Sequence, residues 1–453
     1  MAPSRAEPLP SLLHDPRRLL QAHPLLATAP ALVVGYSGGL DSTVLLHLMH
    51  QLYRQGLLAD LRALHVHHGL QNEADAWAEH CRETCASLAL PFACVRLPPG
   101  LGAAEAVARQ ARYRAFADHL PSGGVLLQAH HRQDQMETVL FRLLRGCGVK
   151  GLAGIPQTRP FAGGHLLRPL LTLAREALED YAGAQGLTWV EDPSNAGSHY
   201  SRNFLRNDVV PLLRGRWPGI EAQVALTAAH CAESAALLEE IAASDAAQAV
   251  GPHAGMLRID ALAKLSPARR ANLLRWWWRE QDADAPLLGP VQLRSIEQEV
   301  LAAATDATPR LRLGENMLCR YRGYLYRVTP LPALHDATLV VGETLQLPVP
   351  FGTLRWQRTP GRGLRLRPGE VLALRFRRVG ESIKPVGRPR KSLKKLLQEH
   401  GVEPWLRDCV PLLYRDETLL AVADFALAEQ VCVQPDEVGL QPLWDRPQLH
   451  CGA

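Results

Sequence analysis

Ala31-Leu-Val-Val-Gly-Tyr36 runs directly into Ser37-Gly38-Gly39-Leu40-Asp41-Ser42, and from Thr43 to Gln55 the apolar residues Val44, Leu45, Leu48 and Leu52 recur at helical spacing. A short apolar run, a glycine-bearing turn and an amphipathic helix are the parts of a strand–loop–helix unit. The two glycines let the backbone approach a phosphate closely, because no Cβ intervenes. The helix that follows offers unpaired amides and the positive end of its dipole to an anion. The hydroxyls of Ser37 and Ser42 can donate to phosphate oxygens, and Asp41 can hold a magnesium ion. The lysine of G-x-x-x-x-G-K-[ST] is absent, so this is a different phosphate loop from that one. The hexapeptide therefore predicts phosphate binding, with a plain strand-to-helix turn as the bland alternative.

Working outward, Leu61 to His67, Pro91 to Leu97 and Val125 to Ala129 read as further strands. Glu73 to Leu88, Ala103 to Leu120 and Gln133 to Arg145 read as helices. Apolar strands alternating with amphipathic helices predict an α/β, Rossmann-like domain with a parallel sheet covered on both faces. Ligands of such sheets sit beyond the carboxyl ends of the strands. Further on, Thr172 to Gln185 reads as a helix, and residues 218–303 read as mainly helical. That region contains Trp276-Trp277-Trp278 among arginines, expected to be mostly core. Leu311 to Val328 resembles a β-hairpin turning near Glu315-Asn316 or Arg322-Gly323, and the last hundred or so residues read as a small α+β domain. The expected division is 1–216, 217–335 and 345–453.

Composition is compatible with this. A chain of 453 residues, 47% apolar and 21% charged, suggests two to four soluble domains at roughly 150 residues each. Four prolines interrupt the first twenty residues, so no signal peptide is expected, and Leu25 to Val34 reads as the approach to the first strand. No apolar stretch is long enough for a membrane span. Nine scattered cysteines without a C-x-x-C pair argue against a disulfide framework or zinc ribbon, and the protein reads as cytoplasmic. Charge is unevenly placed. Between Gly361 and Arg415 stand fourteen Lys/Arg and five Asp/Glu, a net of +9, which leaves −4 for the rest of a chain totalling +5. Such a concentrated basic face attracts phosphates.

Several further motifs occur in order. They are His65-Val-His-His-Gly-Leu70, Ala106-Val-Ala-Arg109-Gln-Ala-Arg112-Tyr113, His131-Arg-Gln-Asp134-Gln-Met-Glu137-Thr138 and Arg145-Gly-Cys-Gly-Val-Lys-Gly-Leu152. Arg168-Pro-Leu-Leu171, Glu191-Asp-Pro-Ser-Asn195 and Arg202-Asn-Phe-Leu-Arg206 follow, and Lys394-Lys-Leu precedes Pro404-Trp-Leu-Arg407. The loop at Ser37 resembles that of the PP-loop ATP pyrophosphatases. With the later motifs, the chain closely resembles the tRNA(Ile)-lysidine synthetase family over nearly its whole length. The resemblance implies that ATP adenylates the carbonyl oxygen at carbon 2 of the wobble cytidine in isoleucine tRNA with a CAU anticodon. The ε-amine of free L-lysine then displaces AMP. ATP, magnesium, L-lysine and this tRNA are the implied ligands, and the resemblance is compatible with a homodimer.

The same resemblance distributes roles. Ser37 to Ser42 with His68 would form the ATP pocket, with Asp41 on the magnesium ion. Asp134 and Glu137, three apart on a helix and so able to share a face, would handle lysine and its proton; ordinary helix N-terminal charges are the alternative. The family usually has Asp where this chain has Gln133, so the expected catalytic carboxylates are Asp41, Asp134 and Glu137. Arg112, Asp192, Arg202 and Arg206 would lie near substrate, against a reading of the last two as salt-bridge partners of Asp192. Lys391, Lys394 and Lys395 would contact tRNA phosphates, which position an RNA without reading its sequence. His65 and His67 alternate onto one strand face, away from His68, and too few ligands lie nearby for a zinc site. The rival readings are a tRNA thiolase, disfavoured by the missing C-x-x-C pair, a small-molecule synthetase, and a non-catalytic tRNA-binding protein.

Overall fold

A computed structural model of the chain describes residues 11–67, 69, 73–98, 105–191, 197, 201–252, 255–280, 287–304, 307–329, 331–348, 351–377 and 380–445. The chain forms two compact units, 1–237 and 238–453, dividing within the long helix Ile220–Ala249.

The first unit is built on six strands: β1 (Leu32–Gly35), β2 (Leu61–His67), β3 (Phe92–Arg96), β4 (Val125–Leu127), β5 (Thr158–Phe161) and β6 (Gly164–Leu167). Their order is β3-β2-β1-β4-β6-β5, and only β5 runs antiparallel to its neighbour. Burial follows the period-2 alternation of a strand. Leu32, Val34, Ala63, Val125 and Leu127 enter one core, while Val33, Leu64, Val66 and Leu126 enter another across the sheet. The first core takes the helices Leu40–Arg54, Ala74–Ser87 and Arg175–Ala184, and the second takes Ala115, Phe116 and Leu120 from Glu105–Asp118 and its end. Strand order runs outward from β1 in both directions, so a crevice opens past the carboxyl ends of β1 and β4.

In this first unit two details differ from the sequence reading. Leu25–Thr28 is a single helical turn opened by Pro24 rather than an extended approach to β1, and it buries Leu26 in the first core. The β5–β6 pair was not anticipated. Its four-residue strands are partly exposed, so they lack the continuous apolar run that betrays a buried strand.

In the second unit β7 (Met256–Arg258), β8 (Arg310–Leu313), β9 (Asn316–Tyr321) and β10 (Tyr324–Val328) form an antiparallel sheet in the order β7-β10-β9-β8. Both candidate turns are used, giving a meander where one hairpin was expected. Arg322 and Gly323 both have positive φ (48° and 82°), the backbone of a two-residue hairpin turn. Trp277 and Trp278 are core, and Trp276 packs against the same cluster. Three of the arginines around them are engaged internally: Arg269 with Asp245, Arg270 with Glu297, and Arg275 through Nε to the Leu288 carbonyl. Beyond residue 336, a five-stranded and a three-stranded antiparallel sheet pack with the helix Leu393–Glu399 around one apolar cluster.

Candidate active site

The helix Leu40–Arg54 starts directly after the Ser37-Gly38-Gly39 turn, with Gly39 at its N-cap and no side chain capping it. Its first amides are therefore open to an external acceptor. The turn is held from within. Ser37 N donates to Ser42 Oγ (3.3 Å), the two serine hydroxyls lie 3.0 Å apart, and Ser42 Oγ donates to the Gly39 carbonyl (3.0 Å). Gly38 has φ +85°, and a Cβ there would lie 2.9 Å from Cys81 Sγ and 3.1 Å from Val190 Cγ2. Its carbonyl accepts from Val190 N (3.0 Å). Behind the turn, His65 Nδ1 donates to the Tyr36 carbonyl at 2.9 Å. Burial pushes the His65 pKa down, which favours the neutral ring.

A cavity of about 400 Å³ opens over this turn, within the range usual for small-ligand pockets. Ser37, Gly39, Asp41 and Ser42 line one side, with Tyr36 and His65 from the ends of β1 and β2. Arg112 faces it from the helix Glu105–Asp118, and Gln128, Ala129 and His130 face it from beyond β4, with Asp134 and Arg206 completing the wall. Asp41 Oδ1 is buried without a protein partner. Burial raises the pKa of this carboxyl against the opposing pull of His131 and Arg175. A buried carboxylate oxygen awaiting a partner beside a phosphate loop fits a hard cation held jointly with phosphates. Among the described residues no cluster of three or more His, Cys, Asp or Glu could hold a metal without such help.

Asp134 and Glu137 stand on the helix Arg132–Leu143 and meet both arginines of the Arg202-to-Arg206 motif. Asp134 Oδ2 accepts the His131 amide (3.0 Å), and its Oδ1 accepts from Arg202 (3.1 Å) and Arg206 (3.4 Å). Glu137, fully buried, accepts from Arg202 Nε (3.2 Å) and from Arg206 Nε (2.7 Å) and Nη2 (2.9 Å). Burial opposes the charge on Asp134, but His131, His130, Arg202 and the His131 amide outweigh it and hold its pKa below the ordinary carboxylate range. Arg206 lies on a π-helical turn, Leu205–Val209, that follows the short helix Ser201–Phe204 carrying Arg202 and precedes Pro211. Proline has no amide for the regular ladder, and such wide turns recur at functional sites.

Gln133, at the position where the resemblance led to an expected Asp, is buried beside this network. Its Nε2 donates to Glu137 Oε1 (3.1 Å) and its Oε1 accepts from Arg214 (3.4 Å). The neutral amide thus sets a donor against Glu137 and an acceptor against Arg214. Gln133→Glu replaces a donor to Glu137 by a like charge. It is expected to destabilise the protein by about 1–3 kcal/mol, read from denaturant unfolding, and unchanged stability would refute this account of Gln133.

The structure therefore brings Ser37 to Ser42, Arg112, Asp134, Glu137, Arg202 and Arg206 together, while His68 and Asp192 lie outside the described residues. Lys391, Lys394 and Lys395 belong to the other unit. Lys394 and Lys395 are exposed on the helix Leu393–Glu399, whereas Lys391 is half-buried and bound to Glu399 at 2.7 Å. Sequence reasoning assigned no role to Gln128, His130 or Arg168. Their position, just past strand ends or in the Arg168-Pro-Leu-Leu171 motif, was the available signal.

Three segments match family models: the PP-loop domain over residues 12–213, the TilS substrate binding domain over 257–326 and the TilS substrate C-terminal domain over 372–444. The strand–loop–helix unit and its cavity make this a PP-loop ATP-binding protein. The chain is 46% identical to the tRNA(Ile)-lysidine synthase of Pseudomonas syringae pv. tomato over 427 residues, 91% of this chain and 92% of that one. It is 42% identical to that of Shigella flexneri over 430 residues (93% and 98%) and 40% identical to that of Yersinia pestis over 436 residues (92% and 94%). The chain belongs to the tRNA(Ile)-lysidine synthase family.

Proposed function

We propose that this protein is a carbon–nitrogen ligase that uses ATP to attach L-lysine to carbon 2 of the wobble cytidine of CAU-anticodon isoleucine tRNA. The observation that carries this reading is the sharing of one cavity by the phosphate loop and the Asp134/Arg206 wall. The cytidine carbonyl oxygen bonds to the α-phosphorus and pyrophosphate leaves. The lysine Nε, having lost a proton, then bonds to carbon 2 as the carbon–oxygen bond to AMP breaks. An electron-poor ring carbon needs its oxygen converted into a leaving group in this way.

Ser37 to Ser42 cradle the phosphates. Asp41 would hold magnesium, which when bound neutralises phosphate charge. Asp134 and Glu137 orient the lysine ammonium, and Arg112, Arg202 and Arg206 balance anionic groups around them. Residues 1–216 carry the ATP chemistry, while 217–335 and 345–453 serve tRNA contact. Incubation with ATP, labelled lysine and the tRNA transcript should incorporate lysine and release AMP. No incorporation by a folded preparation that binds ATP would overturn the reading. Lys394→Ala with Lys395→Ala should weaken tRNA binding about 3- to 30-fold and flatten its salt dependence by up to about two phosphate contacts. ATP affinity should be unchanged; an unchanged salt slope would remove these two lysines from the RNA surface.

A further inference from the structure

His130 lines the cavity beside the phosphate loop and touches a side chain with no role so far. That side chain is Arg168, only 3% exposed, just past the carboxyl end of β6. Its guanidinium is fixed on three sides. Nη1 donates to the Pro156 carbonyl (2.7 Å), Nη2 to Gln128 Oε1 (3.3 Å), and Nε to His130 Nδ1 (3.1 Å). Gln128 is held in turn by the Tyr113 hydroxyl, which donates to the same Oε1 at 3.2 Å.

A guanidinium only donates. The ring nitrogen it touches must therefore be the one carrying a lone pair, which places the imidazole proton on Nε2. We infer that Arg168 is a positioning residue: by donating to Nδ1 it holds His130 as the Nε2–H tautomer, a neutral hydrogen-bond donor to phosphate oxygens of the nucleotide during adenylation. In that state neither ring nitrogen is free to accept the lysine proton, so His130 is excluded as the base. Burial, reinforced by the charges of Arg168, Arg202 and Arg109 against the pull of Asp134, lowers the pKa of His130 and keeps the ring neutral. A buried partner that selects one tautomer is a known way to orient a functional imidazole. This inference rests on the proposed ligase function for its role, though not for its geometry.

The test is long-range proton–nitrogen NMR of the full-length protein labelled at histidine nitrogens, with His130 assigned by comparison with His130→Gln. In the unsubstituted protein near neutral pH, Nδ1 should resonate as an unprotonated nitrogen and Nε2 as a protonated one. A proton on Nδ1, or on both nitrogens, overturns the inference without recourse to any Arg168 variant. In Arg168→Met the tautomer preference should be lost, and kcat for lysine transfer should fall about 10- to 100-fold, as when a partner orienting a histidine is removed. KM for ATP should stay within about 3-fold. A variant that keeps the tautomer, or that loses it without a fall in kcat, also overturns the inference. If the unsubstituted protein formed no lysidine, the functional reading would fail while the spectrum still decided the Arg168–His130 arrangement.

Discussion

Asp134→Asn is expected to cut lysine transfer by about 10²-fold or more, the scale of a reacting group lost from its place, while leaving ATP affinity nearly intact. Asparagine matches aspartate in size, so the helix Arg132–Leu143 should keep its place. It cannot match the hydrogen bonding. Asp134 accepts the His131 amide on one oxygen and both arginines on the other. In the variant an amide NH2 must face a donor on one of those sides, and Glu137 alone is left against two guanidiniums. The ordinary aspartate is already a weak base for an ammonium: moving the proton from lysine to aspartate is uphill by roughly 9 kcal/mol at their usual pKa values. The depressed pKa of Asp134 steepens that climb. The carboxylate therefore serves better to hold and orient the ammonium than to keep its proton. Single-turnover transfer with saturating lysine separates the two contributions: lost binding is recovered at high lysine, and lost orientation is not. A fully active variant would remove Asp134 from the site.

The second large effect is expected at the phosphate loop, where the two glycines should behave differently. Gly38→Ala forces a Cβ onto a backbone at φ +85°, within 2.9 Å of a fully buried cysteine sulfur. The left-handed conformation costs about 1–2 kcal/mol, and crowding a packed site adds about 1–3 kcal/mol. Both stability and ATP binding should fall, binding by at least ~10-fold, because the loop must abandon the geometry that presents its amides. Gly39 has φ −76°, and a Cβ there would meet nothing closer than Ser37 Oγ at 3.6 Å. Gly39→Ala should therefore leave the melting temperature nearly unchanged. A loss of ATP affinity in that stable variant would report close approach of a phosphate to the Gly39 backbone. If neither variant weakens ATP binding, the loop is only a turn.

Much of this was legible in the chain. The alternation of apolar strands and amphipathic helices located β1 to β4, because a parallel sheet covered on both faces demands continuous apolar runs. Positive φ at Gly38 follows from the tight strand-to-helix turn that the Ser37-to-Ser42 stretch announces. The β5–β6 pair was not legible, since its strands are short and half-exposed. The meander of β8, β9 and β10 was half legible, because two adequate turns lay six residues apart and only pairing could show that both are used.

The sequence by itself determined the phosphate loop, the parallel-sheet class and the family, because those rest on local backbone needs and on residue order. Tertiary structure decided which charges meet. Arg202 and Arg206 close on Asp134 and Glu137, 65 to 72 residues away. It also decided that Lys391 is tied to Glu399 while Lys394 and Lys395 stay exposed, and that Arg168 reaches back 38 residues to His130. Ion pairs and tautomers depend on distance and burial in space, quantities that the order of residues along a chain does not contain.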